Sequence, residues 1–189
     1  MEYIISQILV AVSILMTIFV NFIKVERKTI LVCQIIVNLL YGTHNLLLGA
    51  TTGGLINFLA VILLIIYSQK GKIKWLSTIY TPVLFSVLFV ATALISWQNI
   101  FSILPVAGSL IFAVAFWQDE EKQIKLLYVI NTLLWFIYAV VSNSFVAAIG
   151  QALIGISLIV YLIFGTKYEK AVNHFNIWMK QKFAKGKKE

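Results

Sequence analysis

Residues 133–155 read LLWFIYAVVSNSFVAAIGQALIG, and this stretch decides the class of the protein because it is almost wholly apolar. Residues 39–61, which lie 94 positions earlier, read LLYGTHNLLLGATTGGLINFLAV and have aromatic and amide residues at matching places. Neither stretch contains Lys, Arg, Asp or Glu. Such stretches are typical of helices that cross a lipid bilayer, each of which needs about 20 mainly apolar residues. Bulky polar side chains therefore occur twice where hydrocarbon is expected.

The whole composition indicates an integral membrane protein. Of the 189 residues, 61% are hydrophobic and only 12% are charged, and the charges lie between and after long apolar runs. A soluble domain of this size could not bury so much apolar surface. Because a helix satisfies its own backbone hydrogen bonds in lipid, the sequence predicts an all-α fold. Seven transmembrane helices are predicted, at residues 3–23, 29–49, 53–69, 75–96, 100–117, 123–141 and 145–165.

The basic residues predict the orientation of these helices. If the seven helices alternate in direction, all 15 Lys and Arg residues lie on one side of the membrane. The positive-inside rule makes that side cytoplasmic, so the N-terminus is expected outside and the C-terminus in the cytoplasm. The first apolar run has no basic segment before it and is long enough to span, which argues against a cleaved signal peptide. We expect a multi-pass protein of a plasma membrane of bacterial type.

The 94-residue offset predicts an internal repeat. It pairs Tyr41 with Trp135 and Asn57 with Gln151, among other positions. Helices 1–3 and 5–7 then form two three-helix units, and helix 4 is the extra crossing that makes the two units parallel. Transporters of this plan bind substrate between the repeats near the membrane midplane. The predicted divisions are 1–69 for the first repeat, 70–97 for the linker helix, 98–165 for the second repeat and 166–189 for a basic tail.

Polar and aromatic residues form a stripe on each of two predicted helices. In helix 6 the i, i+4, i+7 and i+11 spacing of Asn131, Trp135, Tyr138 and Ser142 places them on one face. In helix 2 the same spacing relates Gln34, Asn38, Tyr41 and Asn45, with His44 beside them. Trp135 lies near the middle of its helix, whereas most tryptophans of this chain lie near helix ends, where an aromatic belt is expected. An aromatic face with nearby amides suits a neutral polar solute. The predicted substrate-binding residues are Trp135, Asn57, Gln151, Asn131, Tyr138, Tyr41, Asn38 and His44.

Other interpretations stay open for single residues. Polar side chains in membranes often only join helices by hydrogen bonds, and His44, near a helix end, suits a neutral hydrogen-bonded role. Tyr67 and Tyr161 lie near the cytoplasmic boundary and are interpreted as belt residues. Pro105 is expected to break one backbone hydrogen bond in helix 5, as a hinge or as a static kink.

Enzymatic activity is not expected. The predicted spans contain no carboxylate, one histidine and one cysteine, so no catalytic residue, metal ligand set or cofactor is predicted. For the same reason we expect a uniporter without proton or sodium coupling.

The basic tail forms a separate predicted element. Tyr168, Val172, Phe175, Met179 and Phe183 recur at intervals of three to four residues, while lysines occupy the other faces. The pattern predicts an amphipathic helix on the cytoplasmic leaflet, held by anionic lipid. The net charge of +8 is explained by topology, so no nucleic-acid partner is expected. The oligomeric state is left open, since one chain already holds both repeats.

The order of three helices, a linker and three more resembles the SWEET and SemiSWEET (PQ-loop) sugar transporters. Pro105 matches the family's proline, the stretch Leu134-Trp135-Phe136 with Tyr138 matches its aromatic segment, and Gln151 stands at its amide position. Val106 replaces the glutamine that follows the family's proline. Over residues 1–165 the chain is also similar to the YgjV-like bacterial inner-membrane proteins. The resemblance implies a facilitative carrier of a small solute, such as a sugar; the alternative is a non-transporting membrane scaffold or receptor with a solute- or lipid-binding pocket.

Overall fold

The computed structural model describes residues 2–22 and 25–185, with side chains through Gly165. The described residues form seven α-helices and no strand, so the all-α prediction is confirmed. Short 3-10 helices at Trp75–Ser77 and Ile100–Ser102 precede the fourth and fifth α-helices. The α-helices are α1 (Glu2–Phe22), α2 (Arg27–Leu47), α3 (Thr51–Tyr67), α4 (Tyr80–Ile95), α5 (Ile103–Trp117), α6 (Glu121–Val141) and α7 (Phe145–Lys185).

Five helical segments are long and apolar enough to cross a membrane, and α3 and α4 are shorter apolar helices. The burial pattern also fits a lipid environment. Leu15 and Ile95 are 69% and 87% exposed, whereas Ser13 and Thr17 on α1 are fully buried. Soluble proteins bury their apolar side chains and expose polar ones. The reversed pattern means that the outer face of the bundle suits hydrocarbon and its interior holds the polar groups.

Six helices form a closed ring. Along the chain α1 packs on α2 and α2 on α3, then α5 packs on α6 and α6 on α7. Contacts of α1 with α7 and of α3 with α5 close the ring. The remaining helix, α4, packs on α3 and α5. The polar interior of the ring is therefore enclosed by two groups of three consecutive helices.

Side-chain contacts show which helix ends lie together. The Arg27 guanidinium at the start of α2 donates to the Tyr67 carbonyl at the end of α3 and to the Phe116 carbonyl at the end of α5. At the other end of the bundle, Gln98 donates to the Gly49 carbonyl. Successive helices thus alternate in direction. We call the end that contains Arg27 the basic end, because every Lys and Arg with a described side chain lies there.

Prolines and glycines set several helix boundaries. Pro105 lies in the first turn of α5, which continues directly from the 3-10 helix Ile100–Ser102. The expected loss of a backbone hydrogen bond at Pro105, as a hinge or as a static kink, remains a prediction. Pro82 lies in the first turn of α4 in the same way, and this helix begins at Tyr80 rather than at residue 75. After α2, Gly49 adopts a φ of +73°, which a glycine accepts without strain.

The last helix is longer than predicted. Helix α7 begins at Phe145 as expected and continues without interruption to Lys185, so no break separates the tail from the seventh predicted span. The side chains of the predicted amphipathic face, from Tyr168 to Phe183, lie outside the described residues.

Candidate functional site

A small cavity lies at the middle of the ring of helices. Its volume is about 30 Å³, and residues of five different helices line it. A space of this size holds about one or two water molecules. Six of the eight residues proposed from sequence come together here, together with three that sequence reasoning missed. The lining residues are Asn38, Tyr41, Asn57, Asn131, Trp135 and Gln151, with Val37, Phe112 and Tyr128.

Three asparagines of the cavity use their amide nitrogens on backbone carbonyls. Asn38 Nδ2 donates to the Gln34 carbonyl at 2.7 Å, and Asn57 Nδ2 donates to the Gly53 carbonyl at the same distance. Asn131 Nδ2 donates across the helix interface to the Gly108 carbonyl, also at 2.7 Å. A carbonyl oxygen requires a donor, so these contacts fix which amide atom is the nitrogen. The three amide oxygens remain available as acceptors.

The aromatic residues of the cavity add hydrogen-bond donors and several ring faces. Tyr41 is 7% exposed, and its hydroxyl lies near Gln151 but makes no hydrogen bond of acceptable geometry. A buried hydroxyl without a hydrogen-bond partner is costly, so the site favours a ligand or a water molecule that accepts a hydrogen bond from this hydroxyl. Trp135 packs closely against α5, because a Cβ added at Gly108 would lie 3.0 Å from Trp135 Nε1. This glycine makes room for the indole.

A wider polar space lies between the cavity and the end opposite the basic end. Its volume is about 180 Å³, and Tyr138 lies in its wall together with Gln98, Asn99, Ser102 and Ser142. Tyr138 is one of the two proposed residues that do not line the small cavity. Its ring meets that of Trp135 edge to face, with centroids 5.7 Å apart. The aromatic pair therefore separates this vestibule from the cavity.

His44 is the other proposed residue that lies outside the cavity. It is fully buried and joins three helices, since its Nδ1 lies 2.9 Å from the Ser6 carbonyl on α1 and its Nε2 lies 2.9 Å from Ser144 Oγ before α7. The carbonyl can only accept, so Nδ1 carries a proton and neutral His44 accepts from Ser144 through Nε2. This geometry agrees with the alternative of a neutral hydrogen-bonded histidine. Among the residues that the structure describes, no group of three or more His, Cys, Asp or Glu side chains could hold a metal ion.

The basic end is closed by contacts that the sequence did not reveal. Arg27 Nε and Nη2 donate to the carbonyls of Gln118 and Phe116, and the Tyr67 hydroxyl donates to the Ala113 carbonyl. Lys70 donates to the Trp117 carbonyl. These donors neutralise the C-terminal carbonyls of α5, where partial negative charge collects. The interpretation of Tyr67 as a belt residue is wrong, because the side chain is fully buried and bonded to α5.

On the other side of the basic end, a buried lysine joins α6 to α1. Lys125 is 3% exposed, donates to the Asn21 carbonyl at 2.9 Å and pairs with Glu121 at 2.6 Å. Its ammonium also lies 3.4 Å from the centre of the Tyr161 ring. Asn21 in turn donates to Ser157 Oγ on α7. These contacts satisfy the buried charge and hold three helices together at the basic end.

Tyr128 is the functional candidate that sequence reasoning missed most clearly. Its ring lines the cavity, and its hydroxyl donates to Gln34 Oε1 at 3.4 Å. Gln34 and Tyr128 are separated by 94 residues, the same offset that pairs Tyr41 with Trp135. That offset was the signal available in the sequence. The rings of Tyr128 and Phe112 line the cavity side by side, and Gln34 holds the Tyr128 hydroxyl from α2.

The comparison with family models assigns the chain. Residues 4–168 match the Imp-YgjV family, described as bacterial inner membrane protein. The chain belongs to this family. The similarity to YgjV-like proteins is thereby confirmed, and several long apolar helices fit a multi-pass protein of the bacterial inner membrane. No curated protein and no solved structure matches this inner membrane protein.

Proposed function

We propose that the protein is a SWEET-like, PQ-loop type carrier of a small neutral polar solute, in which two parallel three-helix repeats alternate access to a central site. The observation that carries the proposal is the buried cavity of amides and aromatic rings at the middle of an otherwise apolar bundle. Buried polar groups in membranes are costly and commonly mark substrate pathways. The proposal makes the protein a carrier rather than an enzyme.

The packing of the helices supports the repeats. Each contact within the first three helices has a counterpart within the last three. The packing of α1 on α2 corresponds to that of α5 on α6, and the packing of α2 on α3 corresponds to that of α6 on α7. The seam between α1 and α7 likewise corresponds to the seam between α5 and α3. Parallel repeats related by an axis along the membrane normal would give this set of pairs. Gln34 and Tyr128, which are equivalent under the proposed repeat, touch each other, as residues close to such an axis would.

The charge distribution supports seven spans with the basic end in the cytoplasm. The described lysines and arginines lie at the same end of the bundle, and the positive-inside rule makes that end cytoplasmic. Helix α1 then begins outside, and α7 ends in the cytoplasm. The vestibule beside Tyr138 opens toward the outside, and the Arg27 and Lys125 contacts close the cytoplasmic side.

The chemistry of the cavity supports a neutral solute rich in hydrogen-bond donors. None of the cavity-lining residues is charged. The amide nitrogens of Asn38, Asn57 and Asn131 each donate one N–H to a backbone carbonyl, and their oxygens accept no hydrogen bond from the described residues. Hydroxyl groups of a sugar or polyol can donate to these oxygens and accept from Tyr41, while ring faces such as Trp135 cover their apolar side. The cavity of about 30 Å³ must widen to admit such a molecule, as alternating access requires.

A second candidate function has one observation in its favour. The small volume and the asparagine bonds to backbone also suit a closed core that holds a scaffold or receptor together, without transport. Polar side chains within membranes often serve only to join helices. The two functions differ in one measurable property, the passage of solute.

The test is uptake by the purified protein in liposomes. A panel of labelled sugars, polyols and other neutral metabolites is added outside, with and without an imposed pH gradient or membrane potential. A uniporter equilibrates its solute to equal concentrations under every condition, whereas accumulation driven by a gradient would contradict the uncoupled mechanism. No uptake of any neutral solute would contradict the carrier and favour the scaffold or receptor.

A matched pair of variants then tests the site. Trp135→Ala removes the ring that lines the cavity, and we expect uptake to fall at least tenfold with expression unchanged. Trp97→Ala removes the same side chain at a position 45% exposed outside the cavity, and it should transport normally. Equal uptake by both variants would show that the cavity is not the solute path.

A further inference from the structure

We infer that the outer groove between α6 and α7 binds an anionic phospholipid from the cytoplasmic leaflet, with an acyl chain in the groove and its phosphate at Lys122. The groove has a volume of about 450 Å³ and is lined almost entirely by apolar side chains. They include Val129, Leu133 and Phe136 on α6 and Ala152, Gly155 and Ile159 on α7. This site does not depend on the proposed transport function.

Small residues create the groove. Gly155 and Thr132 face each other closely, since a Cβ at Gly155 would lie 3.3 Å from Thr132 Oγ1, and the two helices approach there. Ala152 has only a methyl group on the same side, so larger side chains such as Leu133 form raised walls on either side of a channel. A channel of this shape suits an unbranched hydrocarbon chain, which packs along it by many weak contacts.

The depth of the groove fits one leaflet. Helix α6 rises about 1.5 Å per residue, so Val129 and Phe136 lie about 10 Å and 21 Å along the helix axis from Lys122. The hydrocarbon core is about 30 Å thick, which gives each leaflet about 15 Å. The head-group region adds about 5 Å on each side, so with Lys122 at the level of the phosphates the groove runs from about 5 Å to about 16 Å into the hydrocarbon and ends near the midplane.

Charge complementarity identifies the head group. Lys122, Val129, Leu133 and Phe136 follow a spacing of 7, 4 and 3 residues, which places Lys122 on the helix face that carries the groove. Lys122 is exposed and makes no salt bridge with any residue whose side chain is described. Anionic lipids attract basic residues at the cytoplasmic surface. A lipid phosphate would therefore bind at Lys122, while the acyl chain of the same lipid lies in the apolar groove.

The groove and the central cavity share one residue. Gln151 lines both, so its side chain forms part of the wall between the polar interior and the lipid-facing surface. An acyl chain in the groove covers this wall from outside, so the amide of Gln151 finds polar neighbours only on the cavity side. Burial of an amide beside apolar chains without a partner is costly, and the cavity side supplies polar neighbours.

The test measures lipid affinity of the delipidated full-length protein by native mass spectrometry. Phosphatidylglycerol and phosphatidylcholine with the same acyl chains are titrated in parallel, so that the two lipids differ only in their head groups, one with net negative charge and one neutral. Lys122→Gln should weaken phosphatidylglycerol binding about fivefold and leave phosphatidylcholine unchanged. Lys72→Gln removes an exposed lysine of the same end that is remote from the groove along the chain, and it should bind as the unaltered protein does.

A second pair of variants tests the groove itself. Ala152→Phe fills the channel, and Ile156→Trp does so from a more exposed position if the first variant folds poorly. Both should lose the tightest-bound lipid of either head group. Ala91→Phe, on the outer face of α4, is the control. Unchanged lipid affinity in the filled variants would overturn the proposal. So would the finding that the unaltered protein is a dimer and that the filled variants are monomers, because a second copy of the chain would then occupy the groove.

Discussion

Replacement of His44 distinguishes a structural role from a solute-binding role. His44→Ala removes two hydrogen bonds of 2.9 Å, one to the Ser6 carbonyl and one to Ser144 Oγ. Hydrogen bonds between membrane helices contribute about 1 kcal/mol each, and loss of a fully buried ring leaves a cavity that costs about 2 kcal/mol more. We therefore expect the free energy of unfolding to fall by about 3 to 4 kcal/mol. Solute uptake per folded molecule should stay the same, since His44 does not line the cavity.

The assay is reversible unfolding in mixed detergent micelles, combined with uptake measurements on the folded fraction. A double-mutant cycle with Ser144→Ala isolates the bond between the two side chains and should give a coupling energy of about 1 kcal/mol. His44→Gln, which keeps a donor and an acceptor, should recover part of the stability. Loss of uptake in a variant of unaltered stability would refute this reasoning and restore His44 to the solute path.

Three further predictions follow from particular contacts. Gly108→Ala brings a methyl group within 3.0 Å of Trp135 Nε1, so we expect uptake to fall at least fivefold while the free energy of unfolding changes by less than about 1 kcal/mol; normal uptake would contradict the tight fit. Arg27→Met leaves three carbonyl groups without their donor and should cost about 3 kcal/mol in the same unfolding assay; an unchanged value would contradict the closure of the basic end. In intact cells an impermeant thiol reagent should label Ser142→Cys and not Gly71→Cys; the reverse pattern would invert the proposed orientation.

The sequence predicted the helices well because their signals are local. Each apolar run is bounded by charges or by turn residues, and each predicted helix has its counterpart in the structure within a few residues, apart from the late start of α4 and the long α7. The cavity residues on α2, α3, α6 and α7 were also predictable. Tyr41 and Asn57 match Trp135 and Gln151 at one offset, so an aromatic residue precedes an amide by 16 positions in both halves of the chain.

The rotation of each helix about its axis could not be predicted from the sequence. His44 and Tyr138 are each three residues after a cavity aromatic, Tyr41 and Trp135, and three residues turn a helix about 60° short of a full circle. That difference directs His44 toward Ser144 and Tyr138 toward the vestibule. The packing of the neighbouring helices decides which face of α2 or α6 is turned toward the central cavity, and a single helix sequence does not contain that information. The two residues are also 94 positions apart, so one rotation accounts for both.

The closure of the basic end was hidden for a different reason. Arg27 binds carbonyl groups of the backbone, which every residue has, so no partner residue type marks the contact in the sequence. Tyr67 was taken for a belt residue because its position near a helix end suits both roles. Contacts of this kind become visible only when the end of α5 is placed beside the starts and ends of its neighbours.

The pair of Gln34 and Tyr128 has a consequence for how such a protein can evolve. In a homodimer of three-helix units, a residue at the two-fold axis meets its own copy, so a hydroxyl faces a hydroxyl and an amide faces an amide. In the proposed repeat arrangement both units belong to one chain, which removes this restriction, and here a tyrosine donates to a glutamine. The same arrangement pairs Tyr41 with Trp135, and both line the cavity. A symmetric homodimer would offer a bound molecule two equivalent orientations, whereas two unlike repeats in one chain would offer one.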